Sequence, residues 1–220
     1  DQVIYKPGFL RTGQGNPFSV FTPFKRRWVE NFEMNFLDIP QPDRSKKASS
    51  IKSNLTDLKF VKYHLANINL WPAGEAAAQE RLSNFLQSKA DLYSESRNSP
   101  IIDGTSRISP YLALGILSPK RCILEGLKLN NFEFTSGNKG ICKWIDEIIW
   151  REFYRNIMYS FPRVSQNKPF QDYTNAIKWR HSNTELKAFY EGKTGFPIVD
   201  AGIRQMLAEG WMHNRLRMVV

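Results

Sequence analysis

The sequence predicts an all-α body, and three observations carry that reading. Apolar residues recur at helical spacing from Trp71 onward, Ser-Pro pairs at 109–110 and 118–119 mark two helix starts, and no convincing strand pair follows residue 70. Residues 1–70 differ in kind, with clustered Pro, Gly and polar side chains. The chain therefore divides into an irregular arm and linker over 1–70 and a helical domain over 71–220.

Residues 1–23 alternate turn signals with short apolar pieces, and Pro17, Pro23 and the Gly13/Gly15 pair exclude a long helix there. Residues 24–36 predict one short helix with Lys25, Arg26 and Arg27 on its wet side. Residues 38–60 carry Pro40, Pro42 and many Ser and Lys, and read as a solvated linker. Ala and Leu content favours a helix over 76–86, and a loop follows over 94–105. Ser109 stands where it can cap the next helix, with Pro110 in the first turn, and Ser118-Pro119 repeats the signal. Asn, Gly and Ser over 130–140 lead into the most apolar helix, 144–155. Residues 161–174 read as proline-punctuated surface chain, 176–190 as an amphipathic helix and 192–197 as a turn. Residues 198–209 form a helix closed by Gly210, and 211–220 are helical again.

With 220 residues, 41 % of them hydrophobic, the chain can bury a sizeable core. Its net charge of +10 favours a polyanionic partner or simple solubility, without choosing between them. Cys122 and Cys142 form no CxxC pair, which suits reduced thiols in a cytosolic protein. His64, His181 and His213 are scattered, which argues against a zinc site. No apolar run reaches the ~20 residues of a membrane span. The acidic start at Asp1 is not a signal peptide and reads as the interior of a longer chain.

Three stretches invite a functional reading. In Trp144-Ile-Asp-Glu-Ile-Ile-Trp-Arg-Glu-Phe-Tyr-Arg155, Glu147, Trp150, Arg151 and Tyr154 fall at i, i+3, i+4 and i+7 on one face. Glu147 and Arg151 either pair with each other, or the stripe floors a pocket for a planar, hydrogen-bonding guest. In Gly104-Thr-Ser-Arg-Ile-Ser109, small hydroxyl residues lead into a helix N-terminus, which serves as a plain cap or as a phosphate cradle. In Trp211-Met-His-Asn-Arg-Leu-Arg-Met218, the residues Trp211, Asn214, Arg215 and Met218 repeat the indole-plus-polar stripe. Two such stripes facing each other would enclose a cavity suited to a base.

These stretches, with Val20-Phe-Thr-Pro-Phe24 and Gly192-Lys-Thr-Gly-Phe-Pro-Ile-Val-Asp-Ala201, resemble the DNA photolyase and cryptochrome family, and within it the bacterial class I cyclobutane pyrimidine dimer photolyases. The resemblance runs along nearly the whole chain. It implies an internal fragment: the tail of an α/β antenna domain, an interdomain linker, and a helical FAD-binding domain cut on its C-terminal side. It also implies a carbon–carbon lyase of the bacterial cytoplasm, monomeric, that repairs pyrimidine dimers in DNA by light-driven electron transfer from reduced FAD. A second, antenna chromophore of folate or deazaflavin type would belong to the missing N-terminal domain.

By position, Tyr93 and Thr105, Ser106, Arg107, Ile108 and Ser109 resemble the residues that hold the FAD phosphates, and Trp144, Glu147 and Arg151 resemble further members of the flavin pocket. Glu147 would also hydrogen-bond a pyrimidine edge, and Trp150 resembles the plate on which the extruded dimer packs. Asn214, Arg215 and Met218 would border the same cavity, and Arg97 resembles a DNA phosphate contact. DNA contacts would further include Arg151 and Tyr154. Trp179 matches the outermost member of an electron-transfer tryptophan chain. Glu147 together with Trp150 favours repair over a cryptochrome-type photoreceptor. Trp-Met-His-Asn-Arg, in place of paired histidines, disfavours a six-four photolyase. A basic helical DNA-binding module without flavin is the reading of a different class.

Overall fold

The structure is a computed structural model that describes residues 2–38 and 67–220. The predicted linker over 38–60 therefore lies outside the described residues, apart from Asp38. Among the described residues every regular element is helical, so the all-α class holds.

The first helix, α1, covers Phe21–Glu30 rather than 24–36, because Pro23 fits the first turn, where its missing N–H is not needed. The chain continues through a 3₁₀ turn, Met34–Leu37. Lys25, expected on the wet side, instead reaches Asp146 at 2.6 Å. Helix α2 spans Glu75–Ser88, and α3, Tyr93–Ser96, occupies the start of the predicted 94–105 loop. Helix α4 covers Ser109–Ala113. Ser109 is its first helical residue and caps nothing, which corrects the expectation. Ser118 does cap α5, Pro119–Leu129, accepting from Lys120 N at 3.2 Å.

Helix α6, Lys139–Ser160, is the axis of the molecule. Asn138 caps it, its side chain accepting from the N–H groups of Gly140 and Ile141 at 2.8 and 3.0 Å. Gly140 is required at the start: a Cβ there would stand 2.2 Å from Ala90 O and 2.3 Å from Asp91 O. One side of α6 buries Ile145 and Ile149 against Ile123 and Leu127 of α5, and Phe24 and Trp28 of α1 join the same core.

The N-terminal arm packs on that core as well, through Ile4, Tyr5, Leu10 and Phe18. Polar side chains of α6 stitch it down. Buried Glu152 accepts from Ile4 N at 2.7 Å, Tyr5 N at 2.9 Å and Trp28 Nε1 at 3.0 Å. Asn156 Oδ1 accepts from Gly8 N at 2.8 Å. Burial raises the Glu152 carboxyl above its ordinary range, and the three donors pull the other way.

Beyond α6 the predicted helix over 176–190 is confined to α7, Asn183–Tyr190. Ser182 starts it late by accepting from Glu185 N, and 177–182 run non-helical ahead of it. Helix α8, Pro197–Glu209, ends at Gly210 in the left-handed region, φ 67°, as the glycine signal implied. Trp211 and Met212 form a buried corner before α9, Asn214–Val219. Helix α9 packs back on α8, where Gly202 meets Leu216.

Candidate functional site

A cleft of about 350 Å³ opens between four pieces of chain that are distant in sequence: α3, the segment 105–109 entering α4, the middle of α6, and the corner into α9. Tyr93, Thr105, Ser106, Arg107, Ile108, Ser109, Trp144, Glu147, Arg151 and Asn214 all line it. Every side chain that the sequence pointed to as a flavin contact thus stands around one hollow. Leu112, Ile148, Met212 and Arg217 line it too and had not been singled out.

The face of α6 that borders the cleft is Trp144, Glu147, Ile148 and Arg151, again i, i+3, i+4 and i+7, one turn earlier than the Glu147–Tyr154 stripe. Trp150 falls off this face. Its indole stacks on Phe21 of α1, centroids 3.7 Å apart and planes 9° from parallel, and lies against Tyr154 at 5.6 Å. Tyr154 is exposed beyond it.

Glu147 and Arg151 do not pair along the helix. Glu147 Oε1 accepts from Arg97 Nη1 at 2.5 Å and lies 3.6 Å from Lys143 Nζ. Arg151 donates to the backbone and side-chain oxygens of Gln2 and, at 3.1 Å, to Leu112 O. It joins the N-terminal arm to α4 at the cleft wall.

Arg97, expected at a DNA phosphate, is turned inward: its side chain is 10 % exposed, and its guanidinium lies 5.6 Å from the centre of the Tyr93 ring. Burial first, then the charge of Glu147, push the Tyr93 hydroxyl up to about 12, so the phenol stays neutral.

The 105–109 segment is built around Arg107, a non-glycine residue at φ 48°. Its guanidinium lies 4.6 Å from the Trp211 ring centre and 3.1 Å from Glu209 Oε2. Its Nε is buried and stands 3.2 Å from Asp103 Oδ1, but has no aligned hydrogen-bond partner among the described residues. Helix α4 has only five residues, so its dipole adds little. The cradle rests instead on three hydroxyls (Thr105, Ser106, Ser109) and on Arg107. With the Trp144 indole and the Arg151 guanidinium lining the same cleft, this donor set suits a guest that carries both an anionic group and an aromatic ring.

At the other side of the cleft, Asn214 opens α9. Buried His213 caps that helix, its Nδ1 accepting from Arg215 N at 3.1 Å. Burial first, then the neighbouring arginines, hold the His213 ring below its ordinary pKa. Arg215 points away from the cleft lining, donating to Asn98 Oδ1 at 2.9 and 2.6 Å, and Met218 is 70 % exposed beside it. Trp179 is 76 % exposed and lines a separate cavity of about 630 Å³ with Phe189 and Phe196.

A cleft lined in this way within a helical domain has the chemistry of a cofactor site. Residues 144–220 match the family described as the FAD binding domain of DNA photolyase. The chain is 38 % identical to the deoxyribodipyrimidine photo-lyase of Neurospora crassa, with all of this chain and 38 % of that protein covered. It is 37 % identical to the deoxyribodipyrimidine photo-lyase of Escherichia coli, again over its whole length and 46 % of the relative. Among solved structures, a bacterial class III photolyase from Agrobacterium tumefaciens superposes with a TM-score of 0.79 at 32 % identity, over 99 % of this chain and 45 % of that one. The chain belongs to the DNA photolyase and cryptochrome family, and it spans less than half the length of these relatives.

Proposed function

We propose that this chain is the central part of a deoxyribodipyrimidine photo-lyase, a carbon–carbon lyase that repairs cyclobutane pyrimidine dimers in DNA under light. The observation that carries the reading is the convergence of Tyr93, 105–109, Trp144, Glu147, Arg151 and Asn214 on one cleft. FAD, when bound there, supplies the one-electron redox chemistry. Thr105, Ser106, Arg107, Ile108 and Ser109, with Tyr93, hold its phosphates, and Trp144 and Arg151 wall the ring system and exclude water. A folate- or deazaflavin-type antenna chromophore would belong to a preceding domain. Trp179, exposed on the surface, stands as the outer end of an electron-transfer route.

Repair requires the damaged bases to leave the helix, at a cost of a few kcal/mol that is smallest for a lesion already poorly stacked. Trp150 offers an aromatic plate for the extruded dimer, worth ~1–3 kcal/mol per stacked base. Phe21 already holds the indole by stacking, and Tyr154 lies beside it. Glu147 accepts from a pyrimidine N–H, and Asn214 borders the same guest, whereas Met218, 70 % exposed beside Arg215, stands outside the cleft lining. Arg151, Arg215 and Tyr154 act on the DNA strand, and the surplus of cations makes binding salt-dependent. The protein works as a monomer in the bacterial cytoplasm; among the described residues no helix is long and apolar enough to cross a membrane.

The test is made on the full-length protein. The expected result is a flavin absorbance band and light-dependent loss of dimers from an irradiated oligonucleotide. Glu147→Ala lowers repair per absorbed photon while flavin stays bound, and equal quantum yields for variant and parent refute that role. A flavin-loaded protein that leaves dimers intact would favour a cryptochrome-type photoreceptor, and a colourless one a plain DNA-binding module.

A further inference from the structure

The Glu147 carboxylate is held from one side only. Both of its cationic neighbours, Arg97 at 2.5 Å and Lys143 at 3.6 Å, approach Oε1, and Oε2 has no hydrogen-bond partner among the described residues. Arg97 is not free to leave. Its guanidinium lies against the Tyr93 ring, and only a tenth of its side chain meets solvent. A half-buried ion pair resists separation because each charge left behind would be poorly solvated. A phosphate contact asks for the opposite, a cation presented at the surface.

We propose that Arg97 is a positioning residue for Glu147 rather than a contact to the DNA backbone. By occupying Oε1, the guanidinium fixes the carboxylate plane and leaves Oε2 as the single open acceptor. The groups that complement one open carboxylate oxygen are the imide N–H of thymine and the exocyclic amine of cytosine, so the pairing selects a pyrimidine edge that presents a donor. Arginine suits this task better than lysine. Its planar group lies over the Tyr93 ring, 5.6 Å from the centre, while one nitrogen reaches Glu147, and a lysine ammonium has no planar fork to hold the carboxylate in one orientation. The inference rests on the repair reading given above.

The experiment uses the full-length, flavin-loaded protein and its variants Arg97→Gln, Arg97→Lys, Glu147→Gln and the double variant R97Q/E147Q. Two quantities are read: repair per absorbed photon, and the dependence of affinity for dimer-containing duplex on salt. A positioning role predicts that R97Q lowers repair several-fold, about as far as E147Q, and that the double variant is no worse than the poorer single one, as for residues acting as one unit. It also predicts an unchanged salt slope. R97K keeps the positive charge, so under the positioning role it is impaired like R97Q, whereas a phosphate contact would tolerate it. A slope of log K against log salt made shallower by about 0.9 in R97Q, multiplying losses in the double variant, or full repair by R97K each overturn the inference. Should R97Q fail to retain flavin, R97K alone decides by the same readouts. An unaltered protein that binds flavin but repairs nothing removes the reading beneath, and the inference with it; a repairing parent with a phosphate-like R97Q overturns the inference alone.

Discussion

Replacing Glu152 with alanine tests how the N-terminal arm is fastened to α6. The carboxylate serves three donors, Ile4 N, Tyr5 N and Trp28 Nε1, at 2.7, 2.9 and 3.0 Å. A buried donor left without an acceptor costs about 1–3 kcal/mol, so three would cost several kcal/mol if nothing moved. Two of them can escape. The arm can peel from α6 and hydrate Ile4 N and Tyr5 N, at the cost of exposing the Tyr5 ring, which packs edge-on against Trp28 at 5.4 Å. Trp28 is fully buried and has no such exit. The expected loss is therefore about 3–5 kcal/mol, read as a lower urea midpoint. It should be accompanied by faster amide exchange at Ile4 and Tyr5. Glu152→Gln keeps one acceptor oxygen and turns an N–H₂ toward the remaining donors, so about 1–3 kcal/mol is expected. A loss below about 1 kcal/mol for Glu152→Ala, well under what three stranded donors cost, would refute the reasoning.

Other predictions concern the helix junctions. Gly140→Ala drives a methyl to 2.2 Å from Ala90 O, so thermal unfolding should show a loss of about 2 kcal/mol or more; an unchanged midpoint would mean that the 3₁₀ turn Ala90–Leu92 and α6 can separate freely. Phe21→Ala removes the ring stacked on Trp150, and should cost about 3 kcal/mol and shift the indole fluorescence. A spectrum and stability equal to the parent's would show that Trp150 is held by other contacts. His213 gives a pH dependence: with its pKa below the ordinary ~6.5, the unfolded chain takes up the proton first, so stability is lost as pH falls from about 6.5 through the folded value. Protonated Nδ1 can no longer accept from Arg215 N, and α9 frays from its start. His213→Asn keeps a capping oxygen that does not titrate, so it should flatten this loss; an unchanged acid profile in that variant would remove His213 as the cause.

Much of the fold was legible from local chemistry. Ser118-Pro119 and Gly210 bound their helices as capping rules require, and the apolar run at 144–155 marked the axis. What local patterning missed has a common cause. Glu152 reads as one more charge on a helix, and nothing nearby announces that its partners are backbone N–H groups some 150 residues upstream. Arg97 reads as a surface cation, and only the approach of α3 to α6 turns it inward. Helical spacing puts Trp150 in line with Glu147 and Arg151, but its stacking on Phe21 is a tertiary contact that spacing does not carry. Arg217, three residues after Asn214, could have been found by continuing the helical spacing from the asparagine along the other diagonal. The late start of α7 shows the limit of amphipathic patterning, since residues 177–182 carry the pattern without the helix.

The position of FAD in a crystal of the flavin-loaded full-length protein tests the central claim most directly. The account predicts phosphates against Thr105, Ser106 and Ser109, with the ring system between Trp144 and Arg151 on one side and Asn214 on the other. Flavin density in the cavity beside Trp179, or anywhere that leaves the Tyr93–Arg151 cleft to solvent, would contradict it.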